Sequence, residues 1–178
     1  MDGTDEHILA RFVKGDNDAL GELARRYEPT LYGLARALLG RRDDLARDAL
    51  QEAWVRVIRF AAHFRADSSV RTWLYRIVIN RCNDLRATAA RSTLAPLDAN
   101  SHAPAPPDPA PVPDESLHKA LDSLPDSSRL ILLLCHHRGL TNEQAADVLG
   151  IPVGTLKSRQ HAAIVKLRET LAPDGVRP

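Results

Sequence analysis

Nowhere in the 178-residue chain does an apolar run approach the length of a membrane-spanning helix, which needs about twenty consecutive apolar residues. The opening MDGTDEHILARF places acids where a secretory leader needs positive charge and then a greasy stretch, so a cytoplasmic protein without membrane insertion is expected. Cysteine is nearly absent. The two present, Cys82 and Cys135, lie in separate segments and suit core positions in a reducing compartment better than a bridge. No phosphate-binding glycine loop, zinc-spaced Cys/His set or nucleophilic triad occurs, which disfavours an enzyme and leaves no catalytic residue, metal or cofactor to assign. Cys135, His136 and His137 are adjacent, but three successive residues on a helix point in three directions and cannot all ligate one metal. A buried Cys135 with two exposed histidines is the expectation there. Strand alternation is missing as well, and net charge is only +1, which argues against a protein that coats nucleic acid indiscriminately.

What remains is helical periodicity. Apolar residues (44% of the chain) are enough for a core without disulfides or metals. From Asp5 to about Arg41, Ile8, Leu9, Phe12, Ala19, Leu20, Leu23, Tyr27, Leu31, Leu34, Ala35 and Leu38 recur at three and four, and Gly40 ends the run. Asp43 and Asp44 suit the first turn of a following helix that continues to Phe60. Leu50, Trp54, Val57 and Ile58 mark its expected buried stripe. Opposite lie Asp48, Gln51, Glu52 and Val55, spaced as one face, which reads either as a partner patch or as a solvated face.

Residues 61–69 break the period, and Ser68 or Ser69 can cap the next helix, which begins at Val70. Five arginines and one acid, Asp84, fall between Val70 and Arg91, so any attraction to phosphate is local. Leu74, Val78, Cys82 and Leu85 share one side of this helix, with Ile77 at its margin. Thr72, Arg76, Asn80, Asn83 and Ala87 gather opposite, near Arg86. Amides and an arginine without an acid suit hydrogen bonding to bases and phosphates. Arg81 points towards the packed side instead and is expected to pair with a carboxylate.

Between about Ala87 and Val112 stand six of the twelve prolines and almost no large apolar residue, the composition of an extended linker. The expected organisation is a helical domain over 1–87, a flexible linker over 88–113, a second helical domain over 114–173 and a tail over 174–178. In the second domain one helix runs through Leu121 and another from about Pro125 through LILLLCHH. Two short helices follow, over 139–171. Thr141 and Gln144 form a capping box, Gly150 ends the first helix, and Pro152 restarts the chain. Ala145, Ala146, Val148 and Leu149 pack the first, and Leu156, Ala163 and Leu167 turn inward on the second. A plain helical hairpin fits that outline. A DNA-reading helix-turn-helix fits it better, because Thr155, Lys157, Ser158 and Arg159 crowd the N-terminal end of the second helix, which in that motif meets base edges.

Taken together, DALQEAWVRVIRF, WLYRIVINRCNDLR and GLTNEQAADVLGIPVGTLKSR, in this order and spacing, resemble the extracytoplasmic-function (ECF) sigma factors of the sigma-70 family. The resemblance covers nearly all of the chain except the linker and tail. It implies an all-α protein of two small domains that binds core RNA polymerase and directs promoter-specific initiation. Asp48, Gln51 and Glu52 match the family's D-x-x-Q-E helix, which with Val55 would face the beta-prime clamp. The loop with Phe64 and the helix with Trp73, Arg76, Asn80, Asn83 and Arg86 would take the minus-10 element, although a tryptophan at 73 serves equally as packing. Thr155, Lys157, Ser158, Arg159 and His161 would read the minus-35 element, and the same domain would touch the beta flap. An anti-sigma protein covering these surfaces is a further implied partner. One departure stands out: the recognition helix continues as QHAAIVKLR, leaving His161 and Lys166 as its nearby polar reach. A helix-turn-helix regulator acting apart from polymerase is the competing reading. It would ordinarily carry a receiver of alternating strands and helices, and no strand pattern is present.

Overall fold

The computed structural model describes residues 3–92 and 115–171, which are helical with short connections. The chain divides into two compact units, Met1–Ala105 and Pro106–Pro178. The first contains α1 (Asp5–Val13), α2 (Asn17–Leu38), α3 (Asp43–Phe60) and α4 (Val70–Ser92). The second contains α5 (Glu115–Asp122), α6 (Asp126–Leu132), α7 (Asn142–Leu149) and α8 (Val153–Leu171). Most of the expected linker, 93–113, and the tail lie outside the described residues. Its first residues, 88–92, are instead the end of α4.

The periodicity from Asp5 to Arg41 belongs to two helices rather than one. Gly15 takes φ +99, which ends α1, and Asp16 restarts the chain by accepting from the backbone N–H of Asp18 at 3.1 Å. The apolar spacing survives the break because both helices bury a face: Ile8 and Leu9 from α1, and Ala19, Leu23, Tyr27, Leu31, Leu34 and Ala35 from α2. Arg11 secures the corner with its fork on Asp16 at 2.8 Å and on Glu22 at 3.1 Å. As expected, Asp43 and Asp44 occupy the first turn of α3. Its buried side is built largely of alanines, Ala46, Ala49 and Ala53, with Leu50 and Val57; small residues let the backbones of packed helices approach closely. Trp54 is only partly buried and Ile58 is 52% exposed, so the expected stripe is wrong at that end.

Ser69 is the cap of α4. Its Oγ accepts from the backbone N–H of Thr72 at 3.1 Å and lies 2.9 Å from the Thr72 hydroxyl. Thr72 is consequently buried, 1% exposed, and does not belong to the open stripe where its helical position had placed it. A second group satisfies this helix start from far away in sequence: Glu6 of α1 accepts from the backbone N–H of Val70 at 3.2 Å. Tyr75 and Ile79 join Leu74, Val78 and Cys82 inside, widening the buried face, while Leu85 is half-buried.

In the second unit α6 continues as a π-helical turn, Leu133–His137. Leu124, Leu132 and Ala163 form a buried cluster against which Leu121, Ile164 and Leu167 pack. The capping box of α7 is complete, with the Gln144 N–H on Thr141 Oγ1 at 3.2 Å and the Thr141 N–H on Gln144 Oε1 at 3.1 Å. Gly150 ends α7 at φ +64 in the left-handed region, and Leu156 lies fully buried beneath the turn.

Candidate nucleic-acid and partner interfaces

Along α3, Asp48, Gln51, Glu52 and Val55 are all exposed, so the face anticipated from spacing exists as a surface. It adjoins a groove of about 720 Å3 between α2 and α3, lined among others by Pro29, Tyr32, Gln51, Trp54, Val55 and Ile58, with Arg25, Glu28 and Arg47 at its charged margin. Sequence reasoning missed this groove. Ile58 read as part of the buried stripe and Tyr32 stood outside the apolar period, and only the packing of α2 on α3 shows that they border an open cleft. Val55 and Ile58 leave 48% and 52% of their surface exposed there, an apolar strip beside polar groups, as partner surfaces have.

On α4, Asn80, Asn83 and Arg86 are exposed and Arg76 is half-buried. These four share the outward side. Phe64 and Trp73 contact one another, ring centroids 5.3 Å apart and tilted by 52°, which makes the loop between α3 and α4 and the first turn of α4 one aromatic unit. Ala66 sits at φ +58 in that loop, a conformation a side chain normally avoids. Arg81 pairs with a carboxylate, as its position suggested, and the carboxylate is Glu52 at 2.7 Å. Asp84, the one acid of the basic stretch, is matched by Arg56 at 3.3 Å.

On α8, Lys157, Ser158, Arg159 and His161 are exposed and Thr155 is half-buried. The Ser158 hydroxyl donates to the Thr155 carbonyl at 3.0 Å, leaving its lone pairs outward. Glu143 of α7 has its carboxyl held below the usual range by its own backbone N–H, by the Thr141 hydroxyl and by the charge of Lys157. Lys166, exposed further along α8, donates from Nζ to the Ser123 carbonyl at 2.9 Å and so ties α8 to the residue that follows α5. Cys135 is half-buried rather than fully buried, donating from Sγ towards Asn142 Oδ1 at 3.7 Å; His136 and His137 are exposed, and His136 Nε2 meets Gln160 Nε2 at 3.2 Å. Among the described residues no three His, Cys, Asp or Glu side chains converge as a metal site, and no helix is long and apolar enough to cross a membrane.

A helical module with an exposed amide and arginine stripe, followed by a capped helix-turn-helix, has the form of a nucleic-acid-binding protein. Comparison with known proteins makes this specific. Residues 23–92 match the family described as Sigma-70 region 2, and residues 120–169 match Sigma-70, region 4. The ECF RNA polymerase sigma factor SigM of Mycobacterium tuberculosis is 35% identical over 176 residues, covering 94% of this chain and 85% of the relative. The RNA polymerase sigma-H factor of Pseudomonas aeruginosa is 33% identical, covering 95% and 94%. The ECF RNA polymerase sigma-E factor of Escherichia coli K12 is 30% identical, covering 94% and 92%. Among solved structures, CnrH in complex with the cytosolic domain of CnrY superposes with a TM-score of 0.70 at 27% identity, covering 96% of this chain and 99% of that one. The sigma factor RpoE in complex with the anti-sigma factor NepR from Bartonella quintana gives 0.71 at 25% identity, covering 86% and 97%. The chain belongs to the extracytoplasmic-function family of RNA polymerase sigma factors. It is a promoter-specificity subunit of polymerase, and the reading as a free-standing helix-turn-helix regulator is not favoured.

Proposed function

We propose that the three surfaces divide the work of initiation among them. Asp48, Gln51, Glu52 and Val55, with the groove beside them, dock on the beta-prime clamp of core polymerase. Phe64, Trp73, Arg76, Asn80, Asn83 and Arg86 bind the opened minus-10 element. Thr155, Lys157, Ser158, Arg159 and His161 read the minus-35 duplex, and the same unit meets the beta flap. The observation that carries this reading is the exposure of the α3 face: three polar side chains and a valine at helical spacing beside an apolar groove, where a purely solvated face would have no reason to adjoin a cleft. The domains are then 1–92 and 114–173 with the linker between them, a revision of the first boundary by residues 88–92, which continue α4. The protein acts in the cytoplasm and carries no catalytic residue of its own, because its chemistry is to bind and orient. An anti-sigma protein is a further partner, supported by the relatives solved with CnrY and NepR.

The test is transcription in vitro from a promoter library with core polymerase, with and without the full chain. Start sites that require the chain support the assignment. Asp48→Ala with Gln51→Ala should weaken assembly with core while leaving the thermal midpoint nearly unchanged, since exposed polar groups on a helix contribute little to stability. Unchanged core affinity in that variant would remove the α3 face from polymerase docking.

A further inference from the structure

The charged pairs between α3 and α4 run across the two helices. Arg81 of α4 donates from Nη2 to Glu52 Oε1 of α3 at 2.7 Å, and one turn along α3, Arg56 reaches Asp84 of α4 at 3.3 Å. The two pairs differ in setting. The Arg81 side chain is only 18% exposed whereas Glu52 keeps 50% of its surface open; Arg56 and Asp84 are 41% and 55% exposed. Arg81 is therefore largely enclosed at its base, with its Nε buried and without a hydrogen-bond partner, and extends only the tip of its fork to the carboxylate. Glu52, by contrast, stands on the face that also carries Asp48, Gln51 and Val55.

We propose that Arg81 is a positioning residue for polymerase binding: from the helix whose outer side faces the promoter, it holds Glu52 in the orientation that a cationic or amide group of the partner requires. The proposal rests on the reading of the α3 face as the docking surface. A long acidic side chain fixed before contact loses less freedom on binding, and a planar guanidinium fixes a carboxylate more definitely than a flexible ammonium does. A carboxylate has about four acceptor positions on two oxygens, so Arg81 on Oε1 leaves acceptor capacity for the partner. The arrangement also removes Arg81 from the set of arginines that meet DNA phosphate, although it lies next to Asn80 in sequence.

Equilibrium binding of the fluorescently labelled full chain to core polymerase, with thermal unfolding of each variant, tests this. Arg81→Ala and Glu52→Ala are each expected to weaken binding about three- to fivefold, the size of one partly exposed ion pair. The double variant should be no weaker than Glu52→Ala alone, because the two act as a unit, and Arg81→Lys should recover only part of the loss. Asp84→Ala, which breaks the neighbouring cross-helix pair away from the docking face, should leave core affinity unchanged and so separates positioning from mere helix packing. If Glu52→Ala weakens binding while Arg81→Ala and Arg81→Lys leave it unchanged or tighten it, or if the two losses add, the positioning role is overturned although the docking face stands. If Glu52→Ala itself changes nothing, the docking face fails and the proposal fails with it.

Discussion

Asp16 performs two tasks at one corner, accepting from the Asp18 N–H that starts α2 and pairing with Arg11 of α1. The hydrogen bond from Arg11 holds its carboxyl below the ordinary 3.8, against a weaker opposing effect of desolvation. A carboxyl depressed in the folded state contributes stability above its unfolded value and loses it as pH falls through the folded one. Asp16→Ala is therefore expected to lower the thermal midpoint at neutral pH, and the gap from the unaltered protein should close as pH drops below 3.8; a gap independent of pH would show that the charge is irrelevant. Thiol chemistry gives a second check on single residues. Burial pushes the Cys82 thiol up to about 11, and burial also raises Cys135, which is only half-buried. Since the thiolate is the reactive form, iodoacetamide at neutral pH followed by peptide mass spectrometry should find Cys135 modified first and Cys82 protected until the chain is unfolded.

Among elements, the turn between α7 and α8 is the most demanding, because one residue must reverse the chain without a side chain. At Gly150, φ +64, a methyl group in place of the hydrogen would meet nothing within 4 Å, so strain there comes from the backbone alone. Gly150→Ala should destabilise the second unit by about 1–2 kcal/mol. Gly154, within α8 and equally unobstructed, has no such positive φ, and Gly154→Ala should be neutral or stabilising by up to about 1 kcal/mol. Opposite signs in denaturant titrations of the two variants are the expected outcome; equal signs would mean that space rather than backbone angle governs the turn. The start of α4 shows the complementary case of an element completed by its neighbours, with Ser69 supplying a local cap and Glu6 of α1 a remote one.

For the whole molecule, the proposed division of work has the α4 and α8 surfaces fail in different ways, because it assigns unpaired bases to one and duplex to the other. Asn80→Ala removes an exposed amide able to donate and accept at a base edge. It should cost about 1–3 kcal/mol in minus-10 discrimination and reduce opening, with binding to a minus-35 duplex fragment unaltered. Lys157→Ala with Arg159→Ala should weaken that duplex binding and flatten its salt dependence, while activity on a pre-melted bubble survives. Permanganate reactivity on closed and pre-opened templates separates the two; loss of opening in the α8 variant on the bubble would merge them into one surface.

Local patterns were sufficient for much of this. The capping box at Thr141, the stop at Gly150, the acids opening α3 and the exposed set Asp48, Gln51, Glu52 and Val55 all follow from interactions within one or two helical turns, which a linear sequence contains in full. The break at Gly15 and Asp16 was equally local, and was obscured only because an unbroken apolar period ran across it. Tertiary structure alone decided which carboxylate Arg81 would meet, that Lys166 would bond the Ser123 carbonyl, and that Glu6 would complete a helix 64 residues away. It also decided that Thr72 turns inward and Ile58 outward. The reason is physical: helical spacing determines the direction of a side chain around its own axis, whereas burial and pairing depend on what the neighbouring helices bring to that side.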